Sequence, residues 1–168
     1  MRSRVVALVA AALLAVGTAG CGGGDDGPER PAVDQIAPAI AAVEAKLGGP
    51  QQYFEINATP QLVNLFVADA SKTTVTAYVY VGGSVAQTGQ PAGAQGNTFA
   101  ASALTFDPAT ILDGVADRLP DSDIVLFTIA GGPGGVVQYT AAVQSKEGGT
   151  LDVTLGPDGV VQSVDPSG

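Results

Sequence analysis

Apolar residues change their spacing several times along this chain, and each change marks a predicted element. Val33, Ile36, Ile40, Val43 and Leu47 recur at helical spacing and give one apolar stripe. Asp34 stands where an N-cap is expected, Pro38 falls in the first turn, and Gly48-Gly49 close the helix. Strand-like runs follow at 53–58, 62–69, 73–81 and 99–106. The third alternates most clearly, with Val75, Ala77, Val79 and Val81 on one face and Thr74, Thr76, Tyr78 and Tyr80 on the other. Between the third and fourth runs lies an uncharged polar stretch, 82–98, read as a long loop that is either functional or disordered.

The same order then recurs. Asp107 is the expected N-cap and Pro108 the first residue of a second helix, with Ile111, Leu112, Val115 and Leu119 as its stripe. Strands are predicted at 124–130, 136–144, 150–155 and 160–164, joined by Gly-rich turns, of which Gly156-Pro157-Asp158-Gly159 is a strong hairpin signal. Ile36 aligns with Leu112, Ser71-Lys72 with Ser145-Lys146, and Gly82-Gly83 with Pro157-Asp158, at an offset of 74 to 76 residues. The expected fold is therefore α+β: two tandem units, 32–106 and 107–168, each a helix and a four-stranded antiparallel meander. A unit of about 70 residues with few aromatics is marginal alone, so 32–168 is expected to form one compact domain with helices on one sheet face. Two sheets joined side by side into one eight-stranded curved sheet, or helices and sheet faces packed against each other, would both satisfy this.

The residues before 32 follow another pattern. Arg2 and Arg4 precede an unbroken apolar run over 5–16, then Gly17-Thr18-Ala19-Gly20 and Cys21. Twelve apolar residues match a signal-peptide core and are too few to span about 30 Å of hydrocarbon. The small residues before Cys21 resemble the lipobox of bacterial lipoproteins, although Thr18 stands where that pattern prefers Leu. The resemblance implies that 1–20 are removed and that Cys21 becomes a lipidated N-terminus on the extracytoplasmic face of the cell membrane. Residues 22–31, rich in Gly, Asp and Pro, read as a flexible tether. Asp25 and Asp26 within it are read as solvated spacer residues, not metal ligands.

Charge narrows the partners. The chain carries 16 acidic and 7 basic residues, and with Arg2 and Arg4 in the leader the remainder stands at −11. Nucleic acid and direct adhesion to an anionic membrane surface are both disfavoured. With no histidine and one cysteine, a Ser-His-Asp triad, a His/Cys zinc site and an intrachain disulfide are all impossible. Ser71-Lys72 and Ser145-Lys146 fall in turns that would leave each lysine solvated. Asp113, Asp117, Asp121 and Asp123 cluster near the second helix but lack the spacing of a calcium loop. The run Gly131-Gly132-Pro133-Gly134-Gly135 opens no helix and so is a turn, not a phosphate cradle. No catalytic residue, metal or cofactor is expected.

The segment from Thr150 to Val164, a hydrophobic strand, a D-G turn and a V-x-x-V strand, resembles the end of the PepSY domain. The resemblance implies an extracytoplasmic module that binds or restrains a partner. The tandem α/β arrangement is also similar to that of secreted β-lactamase inhibitor proteins. The expected function is a lipid-anchored, non-enzymatic binding or regulatory module for an envelope partner. Tyr78 and Tyr80 are its candidate contacts, either as an exposed ridge or as residues packed beneath a helix. The alternative is a carrier of a lipid or other apolar molecule in a cavity between helices and sheet.

Overall fold

The computed structural model describes residues 29–167. A 3-10 turn at Val33–Gln35 leads into α1, Ile36–Leu47, which buries Ile36, Ala39, Ile40 and Val43. Asp34 lies inside the 3-10 turn and Gln35 takes the N-cap position, while Leu47 at the far end is left exposed. The strands β1 (Gln52–Ala58), β2 (Val63–Ala68), β3 (Thr74–Val81) and β4 (Ser84–Gln87) then form an antiparallel meander. Two short strands, β5 (Ala92–Gly93) and β6 (Phe99–Ala100), follow, and then α2, Asp113–Arg118. A second meander runs through β7 (Ser122–Gly131), β8 (Val137–Ser145), β9 (Thr150–Leu155) and β10 (Val161–Pro166).

All ten strands belong to one sheet, in the order β10-β9-β8-β7-β1-β2-β3-β4, with β5 beside β3 and β6 beside β1. Of the two ways of joining the strands, the side-by-side sheet is the one observed. Register decides which face is buried. Tyr78 stands opposite Leu65, then Ile56, Ile129, Tyr139, Leu155 and Val161 in turn across the sheet. A second row runs Tyr80, Val63, Ala58, Phe127, Ala141, Val153, Val164. Both helices lie over this face: their apolar residues and these rows form one core cluster. The result is an α+β fold, helix against a large antiparallel sheet.

Three expectations are corrected. The fourth strand is not 99–106 but Ser84–Gln87, inside the stretch read as a loop. Gly82 and Gly83, at φ 56° and 80°, make the tight turn that folds β4 back onto β3; both φ values are positive, as a two-residue turn matched to strand twist demands. Residues 82–98 are therefore tied to the sheet twice, because Ala92 and Gly93 also pair with Val75 and Thr74. Only Phe99 and Ala100 of 99–106 pair with β1, because β7 occupies that edge of β1 from Glu55 to Ala58. The rest becomes a strap across the core, with Phe106 set 5.6 Å from Phe127 and 5.5 Å from Tyr139, ring centre to ring centre. Such aromatic contacts add to area burial.

The third correction concerns the second helix. Regular helix covers only Asp113–Arg118, and Asp107 instead holds a turn, accepting from Ala109 N at 2.9 Å. Ile111, Leu112 and Val115 are nevertheless buried, so the apolar spacing located the right residues. This segment meets the β9–β10 hairpin at backbone distance. A Cβ at Gly159 would stand 2.9 Å from Thr110 O, and one at Gly114 would overlap Gly159 O. Gly159 also has φ 79°. Intrinsic propensity favours Gly114→Ala by about 1 kcal/mol in a helix. The close approach predicts the opposite, a loss of about 2 kcal/mol or more, typical of overpacking, measurable as a lower urea midpoint.

Candidate functional site

Cys21, like Asp25 and Asp26, lies outside the described residues. Tyr78 and Tyr80 are 5% and 9% exposed and do not form an open ridge. Their register with Leu65 and Val63 places them in the core rows, and the more uniformly apolar Val75–Val79 set faces the other way. A tyrosine ring buries more area than a valine, which outweighs the count of apolar residues on each side.

Turn chemistry occupies the two Ser-Lys pairs. Ser71 Oγ donates to Asp69 Oδ2 at 2.5 Å, and Asp69 Oδ1 accepts from Thr73 N at 2.9 Å and Thr74 N at 3.0 Å. The Ser71 hydroxyl, then the Thr74 and Thr73 N–H groups, hold the Asp69 carboxyl below its usual range. Lys72 sits exposed at φ 58°, in the left-handed region. Ser145 Oγ accepts from Glu147 N at 3.2 Å in the corresponding β8–β9 turn. The acidic group around α2 does not converge: Asp113 pairs with Arg30 at 3.2 Å, Asp117 and Asp121 are exposed, and Asp123 enters β7. Among the described residues no group of three or more potential ligands is placed to hold a metal. Residues 131–135 form a turn, as expected.

Two shallow clefts are present. One, of about 120 Å³, is bordered by Arg30, Ala116, Leu119, Pro120, Ser122 and Ile124. The other, of about 250 Å³, lies between Gln51, Gln52 and the Asp69–Lys72 turn. Beside it Glu44 joins α1 to β1, with Oε1 accepting from Gln51 N at 3.1 Å and from Tyr53 OH at 3.4 Å.

A further candidate surface is the sheet face that carries no helix. Adjacent register positions line up Val79, Asn64, Asn57, Thr128, Thr140, Thr154 and Ser163 across seven strands. At about 4.8 Å between strands, that row is about 29 Å long. On its first-half side lie Phe66, opposite Ala77 and Glu55, and then Ala130 and Gln138. On the other side stand Leu126, Ala142, Asp152 and Asp165. Asp123 and Gln144 extend the same face. Side chains here are half-buried or exposed. The 94–98 segment passes one end of it, where a Cβ at Gly96 would lie 3.9 Å from the Phe54 ring and Asn97 bridges Gly131.

No family model, curated protein or solved structure matches this chain. The row from Asn64 to Ser163 is not legible in the linear sequence. Each member is an ordinary polar position of an alternating strand, and only cross-strand register assembles them.

Tyr53 provides a test of the core. Burial, then the Glu44 carboxylate and its hydrogen bond, pushes the phenol above the usual tyrosine range. Unfolded, it ionises near 10.0, so above that pH the unfolded state releases a proton that the folded state keeps, and stability falls. Tyr53→Phe should flatten this decline by about 1 kcal/mol between pH 9 and 11, read from urea denaturation at each pH. A decline as steep as in the unsubstituted protein would contradict the burial of this hydroxyl.

Proposed function

We propose that this chain is an exported lipoprotein, held at the extracytoplasmic face of the membrane through a lipid on Cys21. Its folded part is a non-enzymatic binding or regulatory module for an envelope partner. The observation that carries the reading is the basic, apolar, small-residue order that ends at Cys21, close in sequence to residues that are tied into the fold. Glu29 accepts from Gln61 at 3.0 Å, Arg30 pairs with Asp113 at 3.2 Å, and Ala32 N donates to Thr59 O at 3.0 Å. Glu29 stands eight positions after Cys21, a reach of at most about 29 Å. Among the described residues no helix is long and apolar enough to cross a membrane.

The tandem, PepSY-like reading of the fold belongs to the same proposal. Its support is the strand order, in which two meanders run outward from a central β1–β7 pair, each preceded by a helical segment. The carrier reading has less support, because the space between helices and sheet is filled by one contiguous cluster of apolar side chains. The partner is then met on the sheet face or along the 82–98 segment.

Intact-mass measurement on full-length protein recovered from its own membranes tests the anchor. The expected species lacks 1–20 and carries a diacylglyceryl mass on Cys21, and Cys21→Ser abolishes both changes. An intact leader with an unmodified thiol would remove the lipoprotein reading.

A further inference from the structure

We infer that the helix-free sheet face is the docking surface for a protein partner that presents lysine and arginine around a small apolar patch. The inference rests on the proposed binding role and names the chemistry of the partner. Its first support is charge. Glu55, Asp123, Asp152 and Asp165 are the acidic residues of the ten strands, and their register places all four on this face. No lysine or arginine lies in any strand: the basic residues among those described are Arg30, Lys46, Lys72, Arg118 and Lys146, in helices, turns and the N-terminal segment. An open sheet face normally mixes both signs across strands, because opposite charges in cross-strand pairs stabilise and like charges destabilise. Here Asp152 stands directly opposite Asp165, and among the described residues the only side-chain partner of either is Ser163, which donates to Asp165 at 3.0 Å. A cation arriving from outside relieves that repulsion.

The second support is independent of net charge. Two buried side-chain atoms among the described residues lack a hydrogen-bond partner, Asn57 Oδ1 and Asp123 Oδ1. Both belong to strand positions that face this surface, and both are acceptors. Asn57 Nδ2 donates to Glu55 at 2.7 Å, which fixes the amide so that its oxygen is the free end. A buried acceptor without a donor costs about 1–3 kcal/mol. Both atoms are covered in the unbound fold, so a lysine or arginine, which carries donors and no acceptor, completes them once the Asn57 and Asp123 side chains turn outward.

Shape selects a macromolecule. The polar row is about 29 Å long at sheet spacing, spans seven strands, and is bordered at one end by Phe66, Val75, Ala77 and Val79, all half-buried. A small molecule fills a concavity, whereas this surface suits a protein face with basic groups over the threonine half and apolar residues over the valine half. The same carboxylates repel nucleic acid.

The test uses full-length protein purified from membranes in neutral detergent, with the acyl mass read on the same sample so that anchor and docking are scored separately. The probe is a fluorescent decapeptide of alternating Lys and Val, with alternating Glu and Val as its counterpart. We expect saturable binding of the Lys probe, at least ten-fold weaker binding of the Glu probe, and amide shifts confined to strand residues such as Asn57, Thr128 and Thr140. The triple variant Glu55→Gln/Asp152→Asn/Asp165→Asn should weaken the Lys probe at least ten-fold. Asp34→Asn/Asp117→Asn/Asp121→Asn, with the same change in net charge elsewhere, should change it less than two-fold. Equal losses in both triples would overturn the inference in favour of diffuse attraction. Absence of Lys-probe binding, or shifts on α1, would overturn it as well. The amide spectrum of each triple variant, recorded before the titration, should keep the dispersion of the unsubstituted protein, which separates loss of docking from loss of fold.

Discussion

Cross-strand register is the constraint on which the rest of this structure depends. Side chains alternate with period two, so a slip of one residue would turn every core position outward. Two rows, headed by Tyr78 and Tyr80, stay in step across seven strands, and the pairing of β1 with β7 is the hinge of that continuity. Ile56 opposite Ile129 and Ala58 opposite Phe127 join what would otherwise be two small sheets. A unit of about 70 residues is marginal by itself, and the shared rows give both halves a common core.

Covering that core falls to pieces of very different regularity. Over the first half, α1 lies with a continuous stripe. Over the second half there is only a short helix, the turn that precedes it and the aromatic strap at Phe106. The backbone contact between Gly114 and Gly159 allows so short a covering segment to sit close, because neither residue carries a Cβ to hold the hairpin away. Phe127, Tyr139 and Phe106 fill the space that a longer helix would have filled.

The same register that fills one face assembles the other. Residues excluded from the core by charge or polarity are aligned by the pairing of their apolar neighbours, so the row from Asn64 to Ser163 is a by-product of core formation at the level of the backbone. Its composition is not dictated in that way. The core demands only that those positions point outward, and any soluble mixture would serve. A face with carboxylates, hydroxyls and unsatisfied acceptors but no base is chemically one-sided, and that one-sidedness gives the surface its proposed role.

The sequence by itself determined the α+β class, the helical stripe from Val33 to Val43, seven of the eight expected strands to within two or three residues, and the apolar residues of the second helical segment. Those features depend on local periodicity and turn chemistry, which a linear pattern carries. The same local evidence marks Cys21 and its flanking residues, where the expected chemistry needs no tertiary partner. Only the tertiary structure decided that β4 is 84–87, because a strand of four residues in a Gly- and Gln-rich stretch is defined by its partner β3 and hardly by its own composition. Only tertiary structure placed Tyr78 and Tyr80 inward, since both faces of β3 are apolar enough to bury and the choice belongs to β2. The polar face was invisible for the same reason: its members are separated by 7 to 71 positions in the chain, and non-local hydrogen bonding alone makes them neighbours.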